Sequence, residues 1–148
     1  MVRDITYVDS PDGITPAMLA DFFDGWPAPP SPETHLRILR GSAHVILAID
    51  PSAGRVVGFV NAISDGVISA SLPLLEVLPA YRRLGIGREL IMRMLHKLED
   101  HYMIDLVCDP ELVPFYERLG FARGRAMMQR NYARQSGQPK PAGGAERS

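Results

Sequence analysis

The run Leu74–Leu98 (LLEVLPAYRRLGIGRELIMRMLHKL) constrains the chain more than any other stretch, because its pattern changes period midway. It begins as an apolar strand, passes through a turn carrying Arg82, Arg83, Gly85 and Gly87, and continues as an amphipathic helix. Ile86, Leu90, Ile91, Met94, Leu95 and Leu98 recur at helical spacing, while Arg88, Glu89, Arg93, His96 and Lys97 take the other side. A helix start leaves N–H groups without intrahelical partners, and the helix dipole makes that end favourable for an anion. Glycines let a phosphate approach the backbone closely, and Arg82, Arg83 and Arg88 add full positive charge. Strand, turn and helix together predict a diphosphate cradle.

Two common cradles are excluded by their own residue requirements. No Gly-x-x-x-x-Gly-Lys-Ser/Thr run occurs, and the stretch from Gly85 (Gly-Ile-Gly-Arg-Glu-Leu) lacks the third glycine of a dinucleotide-binding turn. What remains is Arg82-x-x-Gly85-x-Gly87 after a strand ending Leu75-Glu76-Val77. This resembles the acetyl-CoA signature of the GNAT superfamily of acyl-CoA-dependent N-acyltransferases. Downstream, Ile104–Cys108 is a short β-rich run, followed by Asp109-Pro110 and a helix ending Phe115-Tyr116-Glu117-Arg118-Leu119-Gly120-Phe121. The phrase Phe-Tyr-x-x-x-Gly-Phe resembles the last motif of the same superfamily. The match runs from about Val56 to Phe121.

The resemblance implies an α/β (α+β) fold: a mixed, mainly antiparallel sheet of six to seven strands with splayed central strands, flanked by about four helices. It implies acetyl-CoA as co-substrate and no metal. The cradle would comprise Arg82, Arg83, Leu84, Gly85, Ile86, Gly87 and Arg88. Backbone groups of Leu75 and Val77, freed where the central strands part, would pair with the pantetheine arm, and Val77 N–H would meet the oxyanion. Asp109 stands where many relatives have an asparagine touching the pantetheine; an Asp-Pro-Glu helix cap is the competing reading. Tyr116 occupies the position from which family members protonate the departing sulfur, and a phenol with a pKa near 10 suits that task.

The general base is less determined. Two positions that carry a glutamate in familiar relatives are Ser71 and Ile104 here, and neither can accept a proton from an ammonium group. Glu76, inside the central strand, is the carboxylate that remains. Strand alternation puts its side chain opposite those of Leu75 and Val77, so it is equally suited to holding Arg82 or Arg83, or the acceptor's ammonium group. A mechanism with water as proton carrier stays open.

The remaining chain suits one domain over residues 1–133 with a loose tail over 134–148, rich in Ser, Gly, Pro and Gln. Ile5–Val8 reads as a strand. Thr15-Pro16 opens a helix through Met18, Leu19, Phe22 and Phe23 to Gly25, and Ser31-Pro32 opens another that ends at Gly41. Between them Trp26-Pro27-Ala28-Pro29-Pro30 is stiff, and by the resemblance Phe22 and Trp26 are candidates for walling the acceptor site. His44–Ile49 and Val56–Ile63 form a hairpin, and Asp65-Gly66 turns into a long strand Val67–Val77. Pro73 lies inside that strand and cannot donate to a ladder, so a bulge or a lost neighbour is expected there. Ala126–Tyr132 offers one more strand. The methionines at 92, 94, 127 and 128 read as core or pocket lining.

A net charge of −1 over 148 residues gives no electrostatic case for nucleic acid or an anionic membrane. A single cysteine excludes an internal disulfide framework, and no apolar run approaches ~18 residues, so a cytoplasmic protein is expected. The four histidines show no metal-ligand spacing. The function predicted is transfer of acetyl from acetyl-CoA to a primary amine of a small molecule, with room for a homodimer. The competing readings are a peptide or protein N-acetyltransferase and a non-catalytic acyl-CoA sensor.

Overall fold

A computed structural model describes residues 4–138 and resolves six strands and three α-helices. In chain order they are β1 (Thr6–Val8), α1 (Pro32–Gly41), β2 (His44–Asp50), β3 (Arg55–Ser64), β4 (Ser69–Ser71), β5 (Leu75–Val77), α2 (Ile86–Lys97), β6 (Met103–Asp105) and α3 (Val113–Glu117). The sheet order is β1-β2-β3-β4-β6, and β5 also pairs with β3. All pairs are antiparallel except β4 with β6, which the α2 crossover makes parallel. This is the mixed, mainly antiparallel sheet expected.

Phe59 and Gly58 show how β3 serves two layers. Phe59 meets the rings of Phe22, Phe23 and His35 on the face covered by α1 and the 3-10 turn Pro16–Leu19. Gly58 faces α2: a Cβ there would lie 3.2 Å from Ile86 Cγ2 and 3.2 Å from Leu90 Cδ1. A side chain at this position would have to push these two α2 residues back by a few tenths of an ångström, so glycine favours the close approach of α2 to the sheet. From α2, Ile86, Leu90, Ile91 and Met94 are buried, as the spacing predicts, each contributing about 1.5–3 kcal/mol of apolar burial. Met92, Met127 and Met128 are exposed, so of the four methionines only Met94 is core.

Three expected elements change. Thr15–Gly25 forms a single 3-10 turn instead of a helix, because Asp21, Phe23 and Gly25 all adopt left-handed backbone angles (φ 71°, 64° and 81°) that unwind it. Val67–Val77 forms two short strands, interrupted at Leu72–Leu74 around Pro73. α1 starts as predicted, with Ser31 Oγ accepting the Thr34 N–H (3.1 Å) and Pro32 in the first turn. Ala126–Tyr132 is not a strand; residues 122–131 run without regular structure. Of the expected tail, 134–138 touch the start of α1, and 139–148 lie outside the described residues.

His35 is the odd member of the core. It is fully buried between Phe22, Phe23 and Phe59, and both ring nitrogens lack a hydrogen-bond partner among the described residues. Burial holds its pKa down at about 4. The unfolded chain, with an ordinary imidazole, takes up the proton first, so stability falls as pH drops from about 6.5 toward about 4. Urea unfolding across that window is expected to lose on the order of 3 kcal/mol to this one residue. His35→Leu should remove that part of the slope; an unchanged slope contradicts the burial.

Candidate active site

The break at Pro73 decides the geometry of the site. Before it, β4 lies between β3 and β6; after it, β5 keeps β3 but has no strand on its other side among the described residues. Asn61 repairs the ladder at the break: its N–H donates to Leu74 O (3.2 Å), and its Oδ1 accepts the Leu74 N–H (3.1 Å). Asn61 is buried, and its Nδ2 donates to Ser42 Oγ (3.0 Å). Sequence reasoning missed this residue; the signal was an amide inside the apolar run Val56–Ile63.

Register then fixes which backbone groups face outward. Asn61 N–H bonds Leu74 O and Leu78 N–H bonds Val57 O (2.9 Å), so residues 74, 76 and 78 direct their main-chain groups to β3. Leu75 and Val77 therefore direct theirs to the open edge. Val77 O accepts from Arg82 Nε (2.8 Å), which folds the arginine back along the strand end. The N–H groups of Leu75 and Val77 face the gap between β5 and the chain beyond β6.

The helix start closes one end of that gap. Gly85, at φ 82°, is the N-cap of α2 and supplies no side-chain cap, and Arg83 before it is also left-handed at φ 64°. Uncapped N–H groups, aligned with the helix dipole, suit an anion. A methyl added at Gly87 would lie 3.7 Å from Phe115 Cζ and 3.9 Å from Val77 Cγ2, so the first turn of α2, β5 and α3 converge here. Ile86 is buried beneath the turn, whereas Arg82, Arg83, Leu84 and Arg88 are exposed. Arg82 also reaches Asp24 (3.7 Å); Arg83 and Arg88 form no ion pair among the described residues. A buried hydrogen bond from Tyr81 Oη to Asp50 Oδ2 (2.7 Å) anchors the turn leading into the cradle. That phenol, together with Ser52, holds the Asp50 carboxyl below its ordinary range.

Tyr116 stands on α3 with its ring edge-on to Phe115 and Phe121. It is largely buried, and burial first, then the neighbouring Cys108, pushes its phenol up to about 12. The hydroxyl thus keeps its proton throughout the physiological range. Asp109 is exposed at the start of the 3-10 turn Pro110–Leu112, and its side chain makes no capping hydrogen bond. Asp65 is turn chemistry: its Oδ1 accepts the N–H groups of Val67, Ile68 and Ser69, which lower its pKa.

Glu76 is placed away from the gap. It shares the Phe59 face of the sheet, and its Oε1 and Oε2 accept the N–H groups of Phe23 (2.8 Å) and Asp24 (3.1 Å). It contacts neither Arg82 nor Arg83 through a described hydrogen bond. The carboxylate spans 53 residues of sequence to hold a loop whose left-handed Phe23 is costly on its own. Phe23 in turn stacks against Trp26, with centroids 4.9 Å apart, so strand and loop move together. Glu76→Ala leaves the half-buried Phe23 N–H unpaired and is expected to cost about 1–3 kcal/mol in urea unfolding. Glu76→Gln, which retains an acceptor, should lose less. Equal losses would contradict the clamp.

Comparison with known proteins identifies the family of this fold. Residues 12–121 match the model of the acetyltransferase (GNAT) family. A crystal structure of a candidate acetyltransferase from Deinococcus radiodurans R1 is 52% identical, covering 94% of this chain and 99% of that one, with a TM-score of 0.89. A GNAT-family acetyltransferase from Streptococcus pneumoniae is 26% identical with a TM-score of 0.67, over 86% of this chain and 100% of that one. Among curated proteins, a chloroplastic GCN5-related N-acetyltransferase 3 of Arabidopsis thaliana is 38% identical over 79 residues, or 52% of this chain and 33% of the relative. Serotonin N-acetyltransferase 2 of rice is 40% identical over 73 residues, 48% of this chain and 36% of the relative. The chain thus spans about a third of the length of these two curated relatives. The family model covers well over half of the chain, and the chain belongs to the GNAT acetyltransferase family.

Proposed function

We propose that this chain transfers the acetyl group of acetyl-CoA to a primary amine of a small molecule, through one GNAT domain over residues 1–133. The observation that carries the reading is the open edge of β5 facing the uncapped start of α2. In this reading the amides from Arg83 to Arg88 hold the diphosphate, with Arg82, Arg83 and Arg88 supplying charge. Leu75 and Val77 pair with the pantetheine arm as an added strand, and Asp109 offers it an acceptor. Val77 N–H meets the oxyanion that develops when the amine nitrogen attacks the thioester carbon. As the C–S bond breaks, Tyr116, which its raised pKa keeps protonated at neutral pH, gives its proton to the thiolate and regains one from water.

Glu76 is assigned to the acceptor side through the loop it holds, where Phe23 and Trp26 would wall the amine. With both its oxygens engaged by that loop, we assign removal of the ammonium's proton to water. The name of the rice relative, a serotonin N-acetyltransferase, supports a small amine as acceptor. We place the protein in the cytoplasm on the strength of its single cysteine. Among the described residues no helix is long and apolar enough to cross a membrane.

Two variants test the cradle and the acid. Gly87→Asp puts a negative charge in the first turn of α2, where it suits the helix but repels a phosphate. It should keep the fold by circular dichroism and weaken CoA binding about tenfold or more in calorimetry. Tyr116→Phe should lower kcat on the order of 100-fold with a small effect on KM for acetyl-CoA. With the native tyrosine, the rate should not fall between pH 8 and 10. Thiol release would be followed with a panel of amines and peptide N-termini; tight CoA binding without turnover on any of them would favour a sensor and contradict the enzyme.

A further inference from the structure

Arg82 is shared between the two halves of the site. Its Nε donates to Val77 O (2.8 Å) on the open edge of β5. Its Nη2 lies 3.7 Å from Asp24 Oδ2, in the loop that carries Phe23 and Trp26. Both side chains are about half exposed, and 3.7 Å is too long for a hydrogen bond. An ion pair of this kind is weak and is readily exchanged for a better one.

The acyl donor would offer Arg82 that better partner. A diphosphate at the start of α2 carries more charge than one carboxylate and accepts charge-assisted hydrogen bonds from a guanidinium. A pantetheine arm added to β5 would also bond Val77 O, the oxygen that Arg82 Nε holds. Donor binding thus competes for both contacts that keep Arg82 beside the loop.

Asp24 is positioned independently of the arginine. Its main-chain N–H is held by Glu76 Oε2 (3.1 Å), and Phe23 before it is fixed by Glu76 Oε1 (2.8 Å) and by packing on Trp26. The neighbouring carboxylates are committed elsewhere. Asp21 Oδ2 accepts from Arg55 Nη1 (3.2 Å), and Arg55 is itself anchored on Ala20 O and Val56 O. Glu76 has both oxygens on backbone N–H groups. Of these three, Asp24 is the one whose cation a bound donor would remove, and it adjoins the side chains that would wall the amine.

We propose that Asp24 binds the acceptor's ammonium group, and that Arg82 withholds it until the CoA diphosphate takes the guanidinium. The inference rests on the acetyl-transfer reading above and adds to it the residue that receives the amine. Held there as an ammonium, the acceptor gives its proton to water before it attacks. Because Arg82 and the amine compete for one carboxylate, donor and acceptor raise each other's affinity.

Calorimetric CoA titration and steady-state thiol release test the two halves on the full chain. Asp24→Asn keeps the backbone N–H that Glu76 holds, so circular dichroism should stay native. It should raise CoA affinity about threefold, because Arg82 then has no pair to give up. In an Arg82→Gln background the same substitution should have almost no effect. An equal gain in both backgrounds reports only one fewer negative charge near an anion and overturns the proposal. For the panel amine with the highest kcat/KM, Asp24→Asn should raise the amine KM about tenfold, with kcat within about threefold of wild type. Asp21→Asn, on the same loop but paired with Arg55, should leave that KM unchanged. A KM that moves in both variants, or in neither, overturns the proposal. A wild type that binds CoA and turns over no amine defeats the acetyl-transfer reading instead. Asp24 is then tested by the affinity for 2-phenylethylamine, which should rise about threefold with saturating CoA in the wild type but not in Asp24→Asn. No rise in the wild type overturns the assignment.

Discussion

A proline cannot give a hydrogen to its neighbour in a sheet, and the architecture of this site depends on where Pro73 imposes that defect. Upstream of it, β4 is sandwiched between β3 and β6; downstream, β5 pairs among the described residues with β3 alone. Asn61 makes the break tolerable by giving its side-chain oxygen to Leu74 N–H, so the defect leaves no buried donor unpaired at that step. The outward groups then fall by register on Leu75 and Val77. α2 arrives beside them because Gly58 lets it close on β3, and its uncapped first turn faces the same gap. Three local chemical facts, a missing N–H, a missing Cβ and a missing cap, produce one cleft.

The opposite face of the sheet is organised around a different constraint. Phe59, Phe22, Phe23 and the neutral His35 form an aromatic cluster, and the loop carrying Phe23 and Trp26 bends through left-handed residues to reach it. Glu76 holds that loop from the same short strand whose other residues line the cleft. β5 thus connects the two sides: Leu75 and Val77 turn their main-chain groups to the open edge, and Glu76 holds the loop.

How much of this the sequence discloses varies with how local the cause is. The helix α2, its buried stripe and the glycine-bearing turn are legible because period, turn residues and charge all lie within one run of chain. The interruption at Pro73 is legible for the same reason, since one residue carries it. Thr15–Gly25 misleads: Met18, Leu19, Phe22 and Phe23 sit at helical spacing, yet the loop is set by a carboxylate 53 residues away. Glu76 is likewise readable as a carboxylate in the central strand but not as a clamp, because its partners are backbone groups that no motif marks. Asn61 was visible only as a polar residue in an apolar run. Ala126–Tyr132 reads as a strand by composition, and the structure gives residues 122–130 no backbone–backbone hydrogen bond among the described residues.

The central claim is that β5 offers alternate amides to the acyl donor beside the start of α2, and residue-resolved amide hydrogen exchange tests it most directly. On addition of CoA, the N–H groups of Leu75, Val77 and the Gly85–Arg88 turn should slow, while Glu76, already bonded to β3, should exchange slowly with and without the ligand. Slowing at Glu76 instead of its neighbours, or protection that leaves both β5 and the start of α2 untouched, would contradict the account.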